Sequence, residues 1–136
     1  MNQQENFDRS LDALHPHEPA IDLQQQAWLK ANVSSGDRVL DLGCGCGRTL
    51  IPLVEAGAIC TGLDRDADAL DQCRKSMESI GSTATFVNAD AIEWLGSTGD
   101  VWNVICCLGN TLCQFWQIDQ AIKLLSLIRQ RLEPGG

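Results

Sequence analysis

Val39-Leu40-Asp41-Leu42-Gly43-Cys44-Gly45-Cys46-Gly47 is the stretch that decides the fold. A short β-type run ends in three alternate glycines, and a helical pattern follows from Arg48 to Ala56, with Gly57 placed to cap it. Pro52 fits that helix if its first turn begins late. Downstream the alternation repeats. Ile59-Cys60-Thr61-Gly62-Leu63 reads as a second strand. Asp66 is placed to N-cap a helix whose Leu70, Cys73, Met77 and Ile80 share one face, and Gly81 closes it. Thr83 to Val87 is a third strand and Ala91 to Leu95 a short helix. Val101 to Leu108 is a fourth strand, continuous enough to be buried on both faces. A last helix aligns Ile118, Ala121, Ile122, Leu125, Ile128 and Leu132 on one stripe, before the break at Glu133-Pro134-Gly135-Gly136. Strands alternating with helices imply βαβ units: an α/β, Rossmann-like, doubly wound parallel sheet.

Upstream, Ala20 to Val33 reads as a helix anchored by Ile21, Trp28 and Leu29, and Ser34-Ser35-Gly36-Asp37 as a turn. Residues 1–19 are polar and end in His15-Pro16-His17-Glu18-Pro19, so they read as a flexible arm. Domain organisation is then an arm over 1–19 and one globular unit over 20–136. The His-Pro-His pair lacks a neighbouring carboxylate cluster, and its histidines read as solvated.

Composition narrows the function. At 136 residues and 44% hydrophobic, the chain builds one core. Its 18 Asp and Glu against 10 Lys and Arg give a net charge of −8, unsuited to a phosphate backbone or an anionic membrane. No apolar run approaches the ~18 residues that cross a bilayer. The first residues lack the pattern of a signal peptide. Seven cysteines, several in apolar runs, fit reduced thiols in a cytoplasmic protein. None has the spacing of a zinc site, so no metal is expected. Cys113 follows the fourth strand, but nothing in its sequence surroundings lowers its pKa.

Alternate glycines at a strand's carboxyl end bare the main chain to a ligand, and the next helix offers N–H groups to a carboxylate or phosphate. A dinucleotide fingerprint fails in both frames: Arg48 or Leu50 stands where its third glycine belongs. No Walker lysine follows either. Asp41, two residues before the first glycine, repels a pyrophosphate and favours a ligand carrying an ammonium group.

On these residues the chain resembles the class I S-adenosylmethionine-dependent methyltransferases. Residues 39–47 resemble their first motif, and Gly62-Leu63-Asp64 the acidic end of their second strand. Asn88-Ala89-Asp90-Ala91 is similar to the turn after their third strand, and Leu132 to Gly136 to the turn before their fifth. The resemblance implies S-adenosylmethionine as cofactor, with S-adenosylhomocysteine as product. Gly43, Cys44 and Gly45 would then pack on its amino-acid and ribose portion, with Asp41 near the ammonium. Asp64 would accept from the ribose hydroxyls and Arg65 lie along the adenine. Asp90 and the Ala91 N–H would meet the adenine edge, and Leu108 border the methyl. Each acid also has a plain structural role, since Asp64 suits a strand-end turn and Asp90 a helix cap.

Leu108-Gly109-Asn110-Thr111 resembles the Leu-Gly-Asn-Ser/Thr stretch of small-molecule methyltransferases such as the glycine N-methyltransferase group. It implies Asn110 as the residue orienting the acceptor; a turn after Gly109 is the alternative. The Asn/Asp-Pro-Pro-aromatic motif of nucleic-acid amine methyltransferases is not found there. Methyl transfer to a small-molecule N or O nucleophile by in-line displacement is the resulting expectation. A non-catalytic module of the same fold and an NAD(P)-dependent oxidoreductase stand as alternatives. The family's sheet has seven strands ordered 3-2-1-4-5-7-6, whereas four are read here, in the order 3-2-1-4. The expectation is an incomplete N-terminal portion of that domain, whose exposed fourth strand invites self-association.

Overall fold

The computed structural model describes residues 19–108, 111–115 and 117–136. Most of the arm expected over 1–19, with His15 and His17, lies outside them, as do Gly109 and Asn110; the Cys113 side chain lies outside the described side chains.

Helix α1 (Pro19–Asn32) begins on a proline, so Pro19 belongs to the helix rather than to the arm. Leu29 and, just past the helix, Val33 are buried. Trp28, expected as an anchor, is 62% exposed, because it faces away from the side that Leu29 packs into the sheet. The turn closes with the Ser34 N–H donating to Asp37 Oδ2 and the Asp37 N–H donating to the Ser34 carbonyl. Then come β1 (Arg38–Leu42), α2 (Leu50–Glu55), β2 (Ile59–Asp64), α3 (Ala67–Ser79), β3 (Thr85–Asn88), α4 (Ala91–Ser97), β4 (Val104–Cys106) and α5 (Ile118–Arg131). All strand pairs are parallel, in the order β3-β2-β1-β4, as expected.

Strand alternation sorts the core into two layers. Val39 packs with Leu29, Leu50, Leu53, Leu70, Cys73 and Met77, beneath α1, α2 and α3. Leu40 and Leu42 pack on the other face with Ala91, Leu95, Trp102 and Leu124, beneath α4 and α5. Trp102 sits against Trp94 with ring centroids 5.5 Å apart, and Arg38 lies 5.9 Å from the Trp102 ring. The Trp102 N–H donates to the Arg131 carbonyl, fixing the end of α5 to the sheet.

Four further expectations change. Strand four is three residues long and is not buried on both faces: Val104 and Ile105 are partly exposed, because among the described residues β1 is the one strand paired with it. The last helix buries Leu124 and half-buries Leu127 and Ile128, whereas Ile118, Ile122 and Leu125 are 75%, 61% and 53% exposed. Those three share a helix face, but α5 turns it away from the layer it packs on. Ile80 follows α3 as its C-cap and is exposed, while Leu70, Cys73 and Met77 are buried as expected. Helix α2 starts at Leu50 rather than Arg48, which places Pro52 in its first turn.

Candidate functional site

Parallel pairing brings the carboxyl ends of β1, β2 and β3 to one edge of the sheet. There the loop after β1 folds over β2. The Gly43 and Cys44 N–H groups both donate to the Leu63 carbonyl, at 2.8 and 3.1 Å, and the Gly47 N–H donates to the Cys44 carbonyl at 3.0 Å. The path requires positive φ at Gly43, Gly45 and Gly47, the left-handed region that glycine enters without a Cβ clash.

Space separates two of these glycines. A Cβ built on Gly47 would lie 2.5 Å from Cys73 Sγ, so this glycine is needed for packing as well as for conformation. A Cβ built on Gly45 meets nothing within 4 Å, which leaves that part of the loop open to a ligand. Gly45→Ala should therefore cost only the left-handed conformation, about 1 kcal/mol. Gly47→Ala should cost about 2–3 kcal/mol, since the thiol beneath has to move as well. Paired urea titrations check the order.

Asp64, ending β2, holds this loop. Its Oδ2 accepts from the Gly45 N–H at 2.8 Å and its Oδ1 from the Asp66 N–H at 2.9 Å. The next strand end is joined to the same point. The Ala89 N–H donates to the Asp64 carbonyl at 3.2 Å, and Asn88 Nδ2 donates to the Asp64 and Arg65 carbonyls, each at 3.0 Å. Asp90 follows directly and caps α4, its Oδ1 accepting from the Ile92 and Glu93 N–H groups. Asp64, Asp90 and the glycine loop are thus neighbours along one edge. Ala91 is buried and Arg65 exposed, and Leu108 packs partly buried against the core.

Asp41 differs from the other acids. It is 2% exposed, and its Oδ2 has no hydrogen-bond partner. Burial, with the Asp64 charge adding and Arg48 opposing, raises its pKa from 3.8 to about 7. Cys60 and Cys106 are pushed up in the same way, to about 12, and read as thiols that fill the core beside Asp41. Among the described residues no cluster of His, Cys, Asp and Glu is suited to a metal.

Helix α2 is a poorer anion site than the sequence implies. Its Ile51 N–H already donates to the Gly47 carbonyl, and Pro52 has none to offer. Two residues carry more than the sequence reading gave them. Asn88 ties two strand ends together through its amide, a role signalled only by an Asn at a strand terminus. Thr111 packs on the first glycine, so that a Cβ on Gly43 would collide with its Oγ1; nothing in the sequence marks that contact.

Residues 39–136 match the family model described as a methyltransferase domain. The ubiquinone biosynthesis O-methyltransferase of Actinobacillus pleuropneumoniae serotype 7 (strain AP76) is 42% identical over 111 residues, covering 79% of this chain and 46% of that protein. The ribosomal protein L11 methyltransferase of Cupriavidus metallidurans (strain ATCC 43123 / DSM 2839 / NBRC 102507 / CH34) is 39% identical over 111 residues, covering 80% and 32%. Among solved structures, the CcbJ methyltransferase from Streptomyces caelestis superposes with a TM-score of 0.73 at 27% identity, covering 82% of this chain and 45% of that one. The chain spans less than half the length of each of these three proteins.

Proposed function

The chain belongs to the methyltransferase domain family, of the class I, S-adenosylmethionine-dependent kind, and from that premise we propose that it transfers a methyl group to a small-molecule N or O nucleophile. The observation that carries the reading is Asp41, a buried carboxylate with an unpartnered oxygen beside a glycine loop that is open at Gly45. A ligand with an ammonium group satisfies that oxygen, directly or through water, whereas a pyrophosphate adds like charge to it.

The remaining residues fit the same group. Asp64 spends one lone pair of each oxygen within the protein, and an ionised carboxylate has about four, so two remain for a ribose diol. Asp90 uses Oδ1 as a cap and keeps Oδ2 for an exocyclic amine, beside the Ala91 N–H. Arg65 lies along the adenine, Gly43, Cys44 and Gly45 along the amino-acid and ribose portion, and Leu108 beside the methyl. Bound S-adenosylmethionine supplies a methyl group on a sulfonium with a thioether as leaving group. The chain's own part in an in-line displacement is to hold the acceptor behind that methyl and keep water out. Asn110 is the residue proposed to orient the acceptor.

The small-molecule acceptor is supported by the ubiquinone-pathway relative and by a net charge of −8, which opposes an RNA backbone. A protein acceptor is favoured by one observation, the 39% identity to a ribosomal protein methyltransferase, and the acidic charge suits a basic protein. Transfer of labelled methyl to catechols and amines, against a basic ribosomal protein, separates the two. Calorimetry tests the cofactor: S-adenosylhomocysteine should bind and NADH should not. Heat from NADH alone would sink the reading and favour the oxidoreductase. Binding without transfer to any acceptor would favour a non-catalytic module.

One domain that takes in Pro19 at the start of α1 and runs to 136, in the cytoplasm, completes the proposal; no described helix is long and apolar enough to cross a membrane. Among the described residues β4 pairs with β1, and Trp102 just before it bridges Leu132; a second copy pairing along the rest of β4 is part of the proposal. Light scattering should show the mass rising with concentration; a fixed monomer mass would remove self-association.

A further inference from the structure

Two thiols flank the glycine loop in a way the cofactor reading does not use. Cys46 is exposed at the loop's tip, and its Sγ lies 3.3 Å from Gln72 Oε1 on α3. The next residue on each side repeats the contact from below: Cys73 Sγ is buried directly under Gly47. Residues 46 and 47 therefore sit on residues 72 and 73, one thiol above the loop and one beneath it. Both are free. Cys44, the loop's other thiol, is buried with its sulfur against Gly62 on β2.

We propose that Cys46 and Cys73 are a peroxide-sensitive pair whose disulfide draws the glycine loop onto α3 and switches off cofactor binding. Peroxide is the oxidant. The exposed Cys46 sulfur attacks it, an S–O bond forms as the O–O bond breaks, and one water leaves. Cys73 sulfur then displaces the hydroxyl from Cys46 sulfenic acid; the S–S bond forms, the S–O bond breaks, and a second water leaves. Two thiols and one peroxide thus give one disulfide and two waters. Cys73 is the resolving partner because it is buried beneath the loop, whereas Cys46 is exposed to peroxide. The S–S bond holds the two sulfurs at about 2 Å, so it ties residue 46 of the loop directly to residue 73 of α3, at the thiol on which Gly47 is seated.

The effect on the cofactor rests on the methyltransferase reading; the disulfide does not. The full chain is treated with hydrogen peroxide, digested with trypsin without reductant, and its S-adenosylhomocysteine affinity measured before and after dithiothreitol. The expected product links peptides 39–48 and 66–74, lighter by two hydrogens than the separate thiols. It is absent from Cys46→Ser and Cys73→Ala and present in Cys44→Ser. Affinity should fall at least about tenfold on oxidation and return on reduction, and Cys46→Ser should keep its affinity under peroxide. No linked peptide, a link that survives in Cys46→Ser, or unchanged affinity of the linked protein overturns the proposal. Reduced protein that binds no S-adenosylhomocysteine sinks the cofactor reading instead, while the peptide map still decides the disulfide.

Discussion

Asp64→Ala is expected to lose about a hundredfold or more in S-adenosylhomocysteine affinity while keeping its fold. Two effects add. The ribose loses its charged acceptor, and each charge-assisted hydrogen bond contributes about 1.5–3 kcal/mol. The Gly45 N–H also loses the oxygen that holds it at 2.8 Å, so the loop enters binding less ordered. Two such bonds amount to about 3 kcal/mol, hence the hundredfold. Asp64→Asn separates the contributions: its remaining oxygen serves either Gly45 or Asp66, and its amide turns a donor toward the other. It should fall between wild type and alanine. Isothermal titration on the three proteins checks this. An alanine variant binding within threefold of wild type would remove Asp64 from the site.

The second large effect is on stability, and it depends on pH. Asp41 has a folded pKa near 7 against an unfolded value of 3.8. Below 3.8 the carboxyl is protonated in both states and folding incurs no cost. Between 3.8 and 7 the unfolded chain ionises while the folded one stays protonated, so stability falls as pH rises. Above 7 the cost is complete, at most about 4 kcal/mol. Asp41→Asn has no charge to bury. It should be more stable than wild type at pH 8, by about 1–4 kcal/mol, and equal to it near pH 4. The same variant should bind S-adenosylhomocysteine more weakly, because the ammonium has lost its counter-charge. Urea denaturation at the two pH values, with titration at pH 8, tests both halves. A variant less stable than wild type at pH 8 would mean that Asp41 is satisfied in the folded protein.

The stretch from Val39 to Gly47 made much of this legible. Strand residues giving way to alternate glycines predict a parallel α/β sheet, which the structure has; Asp41 suggests a preference for a cation, which belongs to the proposal. Asp66 as an N-cap was equally readable, since capping is local. Less was legible where distant parts of the chain decide. Periodicity places Ile118, Ile122 and Leu125 on one side of α5, but only the packing of α4 and α5 shows that this side is uncovered. The apolar run from Val101 to Leu108 reads as a long strand, yet among the described residues its pairing with β1 runs from Val104 to Cys106. Asp41 is named by its motif, but its orphaned oxygen is set by the core around it. The contacts of Thr111 with Gly43 and of Cys46 with Gln72 are tertiary throughout.

The sheet order β3-β2-β1-β4 also has a kinetic consequence. Strand β1 lies between its sequence neighbour β2 and the much later β4. As the polypeptide leaves the ribosome, β1, β2 and β3 associate through consecutive crossovers while one flank of β1 still waits for a partner. The glycine loop hangs on Leu63 and Asp64 of β2, so most of its hydrogen bonds can form before β4 docks, while the Thr111 contact has to wait. Docking of β4 is the long-range, entropically expensive step and should limit the folding rate. A nascent chain stalled just beyond α4 would then carry a shaped loop beside an unprotected strand, the stage at which a chaperone is most needed.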